Sequence, residues 1–349
     1  MAYTTIDNPE LYFQTKLYAG NSSTQSITLD GSENMQPDWV WIKNRSDSRK
    51  HNLYDSIRGT TKRLVSNSNV AEDTAGNGLT SFNSDGFTTG SEQDTNHSGN
   101  NFVAWNWKAG TSFTNDASST GIGTIDSTGS VSQTSGFSIC TYTGNGVSGA
   151  TIKHGLTTAP KIVIIKKRSH SDSWSMLNTN VDLQKYLSFN STSGLISDPL
   201  FNNTAPTTSV FTVDSDGQVN GDTNTFVAYC FSEVKGFSKF GSYTGNNDAD
   251  GPFIYTGFKP AFVIIKNASS TQNWVMFDSK RPGFNVINDI MYPNNTDAES
   301  NEDSLDFLSN GFKIRTSGND RNGSGNTLIY MCFAEAPLVN SNGVPTNAG

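Results

Sequence analysis

The chain has 349 residues, with 24 Lys and Arg against 32 Asp and Glu, a formal charge of −8. It has no long basic run, so no nucleic-acid partner is expected. Only 34% of residues are hydrophobic and 16% charged while 11% are aromatic; the balance of Asn, Ser, Thr, Gly and Asp reads as an all-β chain rich in turns rather than as disorder.

In chain order, residues 1–12 hold an Asp-Asn-Pro turn with little to bury and read as an N-terminal arm. The first repeat, 13–110, runs from Phe13 to Tyr18 and turns at Gly20-Asn21. It then reaches Pro37-Asp-Trp-Val-Trp-Ile-Lys43, where Pro ends a loop ahead of a strand that is apolar on both alternating faces. Val40 and Ile42 point one way and Trp39 and Trp41 the other, which predicts a strand inside a sheet packed on both sides. Asn52-Leu-Tyr-Asp55 leads into Ser56-Ile-Arg58, Phe82-Asn-Ser-Asp-Gly-Phe87 reads as a hairpin, and Asn101 to Trp107 closes the repeat. Residues 111–136 are mostly Ser, Thr, Gly and Asp and read as a linker.

The same landmarks return in 137–236, with Gly144-Asn145, Pro160-Lys-Ile-Val-Ile-Ile-Lys166, Asp214-Ser-Asp-Gly217 and Asn224 to Phe231. They return again in 237–337, with Gly245-Asn246, Pro260-Ala-Phe-Val-Ile-Ile-Lys266, Leu308-Ser-Asn-Gly-Phe312 and Asn326 to Phe333. Residues 338–349 read as a polar tail. The Pro-to-Lys spacing never changes, whereas loop lengths do. A one-residue slip would turn core side chains outward, but a loop lengthens at small entropic cost. The expected architecture is three tandem β-sandwich-like repeats of about 100 residues in series, preferred over a propeller of shorter blades. Val40, Val163 and Val263 should be equivalent and buried.

No catalytic set is visible. His51, His97, His154 and His170 sit in unrelated contexts, and no nucleophile elbow, zincin motif or phosphate loop occurs. No enzyme activity or cofactor is therefore expected, and glycan hydrolysis ranks last because no acid and base can be named. Cys140, Cys230 and Cys332 are too few and too spread for a disulfide scaffold and read as reduced core residues. Asp248 and Asp250, like Asp214 and Asp216, resemble fragments of calcium loops but lack the oxygen count, so tight turns are the plainer reading. Asp55-Ser-Ile-Arg58 recurs as Asp278-Ser-Lys-Arg281 but is replaced by Asn178-Thr-Asn-Val181 in the second repeat, which suggests an ion pair that fixes a loop. The six tryptophans fall within strand frames and read as core. If the protein binds, its contacts should come from the variable loops 88–100, 190–209 and 292–304, with Asn96, His97, Asn100, Asn202, Asn203, Asn294 and Asn295 as candidates.

The set Tyr-x-Gly-Asn, Pro-x-x-Val-x-Ile-Lys, Asn-Ser-Asp-Gly-Phe and Asn-x-Phe-Val-Ala-Trp-Asn-Trp, with Phe240-Gly-Ser-Tyr-Thr-Gly-Asn246, resembles a family of uncharacterised virion proteins of marine tailed bacteriophages. The likeness implies a tail-fibre or minor structural protein with a lectin-like sandwich. It also implies a virion location, with other virion proteins, further copies of this chain and a host-surface glycan as partners. A decoration or adaptor subunit is the alternative. No apolar stretch approaches the roughly 20 residues that span a bilayer, and the first thirty residues lack the pattern of a secretory signal, so no membrane insertion is expected.

Overall fold

The computed structural model describes residues 4–337; the tail expected at 338–349 lies outside them. Strands take 44% of the described residues and helices 6%, in antiparallel sheets throughout the named pairings, so the protein is all-β. One strand order occurs three times. Phe13–Ala19, Asn101–Trp107, Trp39–Asn44 and His51–Asp55 lie side by side in the first unit. Phe137–Thr143, Thr225–Phe231, Ile162–Lys167 and Ser175–Asn178 do so in the second, and Ser238–Thr244, Thr327–Pro337, Phe258–Asn267 and Trp274–Asp278 in the third. Val40, Val163 and Val263 face Asn106, Cys230 and Cys332 across the same strand pair, and all three valines are fully buried. The three cysteines are free and buried.

Each of these sheets is covered on one face by a second sheet of its own unit. These are Gln25–Ile27 with Gly86–Thr89 and Leu79–Asn83, then Ala150–Lys153 with Val210–Val213, and finally a four-stranded sheet from Phe253–Tyr255 to Ile287–Ile290. Val40 and Ile42 pack there in the first unit, Val163 and Ile165 in the second. The other face of each sheet is covered by the other two units. Trp39, Trp41, Trp105 and Trp107 meet Ile162, Ile164, Tyr229 and Phe231, and both sets meet Phe262, Ile264, Met331 and Phe333 in one core. Trp39 stacks on Tyr229 at 4.6 Å and Trp107 meets Phe333 edge-on at 5.7 Å. The void between the three faces is only about 10 Å³ and is lined by apolar and aromatic side chains, which offer a water no set of polar partners.

The units are therefore not beads in series. A frame that is apolar on both faces must bury both, and here the second face is buried by closing three units on a common centre. Three further expectations change. The stretch 111–136 is not a spacer: Thr111–Asn115 and Ser127–Ser132 add two strands to the second sheet, because Ser and Thr leave the backbone free to pair. Residues 4–12 pack down rather than forming an arm, with Ile6 in the central core and Asn8 capping a short 3-10 turn, Pro9–Leu11. Asn83 pairs with Gly86 in the expected hairpin, where a Cβ on Gly86 would lie 2.0 Å from the Ile27 carbonyl oxygen. Asp214-Ser-Asp-Gly217, by contrast, starts the helical turn Gly217–Asn220, with the Asp216 carboxylate accepting from the Gln218 N–H.

Candidate functional site

The Asx and acidic positions singled out in the sequence mostly build turns. Asn96 is fully buried, and its amide donates to Asn21 Oδ1 and to the Ser23 and Gly90 carbonyls; Asn220 and Asn322 do the same work in the other units. Asn96 is thus a turn clamp and not a surface contact. His97 is half-buried, and Asn100 donates to Asp47 at 2.6 Å. Asn202 and Asn203 both adopt left-handed backbone, φ 52° and 53°, which Asn tolerates better than most residues. Asn294 accepts from the Trp274 N–H and donates to Asn273, while Asn295 folds onto Asp297. Asp250 is paired with Lys313 at 2.8 Å and lies 3.8 Å from Arg315, and Asp248 accepts from the Asp250 N–H; these carboxylates are spent on cations and turns. Among the described residues no group of three or more His, Cys, Asp or Glu is arranged to hold a metal.

Two of the variable loops turn out to join units. In the seam from the first unit to the second, Glu72 is bidentate to Arg168 at 2.9 and 3.1 Å and also takes Arg58 at 3.1 Å. Asp55, which pairs with Arg58, accepts from the Tyr229 hydroxyl at 2.7 Å. Burial pushes the Glu72 carboxyl up, but the Arg168 hydrogen bond and the Arg58 charge outweigh it and hold its pKa below the ordinary value. The seam from the third unit back to the first repeats this: Glu299 is bidentate to Arg45 at 2.7 and 2.9 Å, Arg281 bridges Glu299 and Asp278, and Asp278 accepts from Trp105 Nε1 at 3.0 Å. In the seam from the second to the third, Leu195 and Ala268 make the equivalent backbone bond at 2.8 Å without the ion pair. Residues 190–209 and 292–304 are in this way occupied by architecture.

One lysine spans every seam. Lys43, Lys166 and Lys266, the last residue of each Pro-to-Lys frame, donate to the Thr296, Asn69 and Thr192 carbonyls of the neighbouring unit. Burial pulls each from 10.5 down to about 8. Trp174 and Trp274 likewise donate across seams to the Val65 and Ser188 carbonyls. At the matching register stands His51, whose Nδ1 accepts from Trp41 Nε1. Burial and the Lys43 charge hold His51 well below the ordinary histidine range, against the upward pull of the Tyr292 backbone. His154 is buried too and is lowered to about 4 by that burial.

All six tryptophans are buried. Among the described residues the exposed aromatic side chains lie instead in the third unit. Strand Phe253–Tyr255 forms the edge of the outer sheet with Ile254 inward and Phe253 and Tyr255 outward, 47% and 56% exposed. Phe253 faces Lys313, which faces Asp306; Tyr255 faces Gly311, which faces Leu308. Directly opposed residues share a face, so this outer surface carries two aromatic rings, a glycine gap and two ion pairs, Lys313 with Asp250 and Arg315 with Asp306 at 2.9 Å. The inward isoleucine recurs as Ile27 and Ile152, each opposite the inward phenylalanine of the next strand. Its outward neighbours there are Ser26 and Thr28, and Thr151 and Lys153. The fold needs the isoleucine and not the aromatic pair. Aligning these three short frames is the sequence signal that would have exposed Phe253 and Tyr255.

A family model for a domain of unknown function, DUF7483, matches residues 8–337. The chain belongs to that family. No curated protein and no solved structure matches it. The DUF7483 match runs through all three units, so the unit of this family is the closed ring and not the single repeat of about 100 residues.

Proposed function

We propose that this DUF7483 chain is a bacteriophage virion protein of the tail or fibre that helps the particle attach to the host surface. The observation that carries the reading is the Phe253 and Tyr255 pair, exposed on one unit of a ring that buries every tryptophan and absent from the corresponding strands of the other two. Exposed aromatics that the fold does not require mark contact surfaces. Repetition of the chain around a particle would multiply a weak contact through effective concentration. The test is a phage carrying Phe253→Ser with Tyr255→Thr, the side chains that stand at these positions in the first unit. Expected are intact particles containing the protein and reduced host adsorption. Normal adsorption by such particles, or absence of the chain from purified wild-type particles, overturns the reading.

A decoration or adaptor role is the second reading, favoured by Phe284, 80% exposed beside a groove lined by Ile287, Phe307 and Lys259. Under that reading Phe284→Ser blocks incorporation into particles and leaves adsorption per incorporated copy unchanged.

A further inference from the structure

We infer that the second unit binds a neutral oligosaccharide in an open trough beside its two added strands. The trough lies apart from the aromatic pair of the third unit and does not depend on the attachment reading. Two adjoining hollows of about 360 Å³ each share Asp126 and Thr143, a size in the range of ligand sites. In the first and third units Phe13–Ala19 and Ser238–Thr244 stand at the edge of their sheets, whereas here Ser127–Ser132 and Thr111–Asn115 continue the sheet past Phe137–Thr143. The connection between the two added strands rises at their ends as a wall. The Thr124 and Ile125 N–H groups donate to the Thr151 carbonyl at 2.8 and 3.2 Å, and Thr124 Oγ1 accepts from the Thr151 N–H at 2.8 Å. A wall held in this way is formed before a ligand arrives, which spares the ordering cost of binding.

The floor is a grid of polar side chains. Thr114, Thr128 and Thr141 lie in register across three strands, and directly opposed residues share a face. The next row begins at Asp116 and Asp126, one step past the Asn115 and Ser127 pair. It continues through Thr143 and Thr225, which oppose each other, to Arg168, whose N–H donates to the Thr225 carbonyl. Three strand spacings separate Asp126 from Arg168, about 14 Å, room for a chain of sugars. Each member of this row keeps a polar group unspent. Asp116 and Asp126 use Oδ1 alone, for the Ser119 and Ala117 N–H groups at 3.1 and 2.8 Å and, in Asp116, the Ser118 hydroxyl. Arg168 gives Nε and Nη2 to Glu72 and keeps Nη1. The Thr143 and Thr225 hydroxyls have no partner among the described residues. In the second hollow Asn145 spends Oδ1 on the Val147 N–H and the Asn220 amide and keeps Nδ2. Acceptors at one end and donors at the other match sugar hydroxyls, which do both.

The charges choose among ligands. Glu72 already matches Arg168, while Asp116 and Asp126 make no ion pair among the described residues, so an acidic saccharide meets uncompensated negative charge and a neutral one does not. No third acid stands with them to hold a metal among those residues. The apolar members of the two hollows, Ile125 and Tyr142, are only 6% and 4% exposed, so a protein partner finds no apolar anchor there. The third unit provides a natural comparison. Thr244 opposes Thr327 there as Thr143 opposes Thr225, but Ala268 replaces Arg168 and no strand flanks Thr244.

The experiment titrates the whole chain by calorimetry with neutral hexamers of gluco, manno and galacto configuration and with a galacturonate hexamer, up to about 10 mM, a range that captures weak single-site affinity. The expected result is saturable binding of at least one neutral hexamer and weaker binding of the galacturonate. Thr143→Lys fills the trough and should weaken binding about tenfold or more. Thr244→Lys, the same change at the same register of the third unit, should leave it unchanged. Asp126→Asn keeps an oxygen for the Ala117 N–H, so the wall survives, but it exchanges a charge-assisted hydrogen bond for a neutral one and should weaken binding about fivefold. Phe253→Ser with Tyr255→Thr should have no effect, which separates the trough from the attachment surface. Absence of binding by every neutral hexamer overturns the inference, as does tighter binding of the galacturonate. Wild-type affinity in both Thr143→Lys and Asp126→Asn, or binding lost with the Ser and Thr pair, overturns it too.

Discussion

The two ionic seams and the apolar one solve the same problem with different chemistry. Where Asp55 and Asp278 stand, the facing unit presents a donor, the Tyr229 hydroxyl or Trp105 Nε1. Where Asn178 stands, the same register of the facing unit is Met331, opposite Ile264 as Tyr229 is opposite Ile164. Arg58 and Arg281 become Val181, Glu72 and Glu299 become Leu195, and Arg168 and Arg45 become Ala268. The members change together, because a half-kept network leaves a buried charge or donor unmatched. The backbone bonds and the lysine persist in all three seams, so they hold the ring, while the side-chain sets distinguish which unit follows which.

The largest loss is expected from Asp278→Ala. It leaves the Arg281 guanidinium, whose side chain is 0% exposed, with Glu299 as its remaining carboxylate and the buried Trp105 Nε1 without its acceptor, and should cost about 3–5 kcal/mol in urea unfolding. The next test concerns the lysine common to all seams. Below pH 8 Lys166 is charged in both folded and unfolded chains, and its buried charge is a cost. From pH 8 to 10.5 the folded state releases the proton that the unfolded chain keeps, so stability rises with pH. Measured against Lys166→Met, wild type should gain up to about 3 kcal/mol over that interval. The difference isolates the lysine from buried Tyr142, Tyr229 and Cys230, whose raised values act in the opposite direction above about pH 9. A flat difference between pH 8 and 10.5 refutes the burial of charge.

The first seam can be converted to the chemistry of the second. Asp55→Asn, Arg58→Val, Glu72→Leu, Arg168→Ala and Tyr229→Met together should leave stability within about 2 kcal/mol of wild type, since buried ion networks replaced as a whole by apolar groups are close to neutral. Each charge removed singly should cost more than the set. The smallest effect is expected at Asn178→Ala, where no charge is left behind: about 1 kcal/mol or less by thermal unfolding. A loss as large as that of Asp278→Ala would show the apolar seam to be a network too.

The frames were legible because strand register is written locally. Trp39 and Val40 alternate, and the same alternation returns at Ile162 and Phe262. The recurring Asp-x-x-Arg pairs could also be recognised as loop-fixing. Ring closure could not: Arg45 and Arg168 stand two residues after Lys43 and Lys166, but Glu299 lies 21 residues beyond Asp278 where Glu72 lies 17 beyond Asp55, and nothing in the spacing says which arginine of another unit each glutamate meets. The strands at Thr111–Asn115 and Ser127–Ser132 escaped because their pairing is made by backbone groups that every residue possesses. Phe253 and Tyr255 escaped because Phe-Ile-Tyr looks like a buried run until the middle residue alone is seen to turn inward.

Closure also sets a schedule for synthesis. Arg45 waits for Glu299, 254 residues later, and Lys43 waits for Thr296. At about 5–20 residues per second, the first unit is complete at residue 110 roughly 10–40 s before its last partner leaves the ribosome. Until the second unit follows, Trp39, Trp41, Trp105 and Trp107 have no other unit to cover them. The nascent chain thus carries its stickiest surface for longest, and the second unit, whose Tyr229 and Phe231 land on Trp39, is its first shelter.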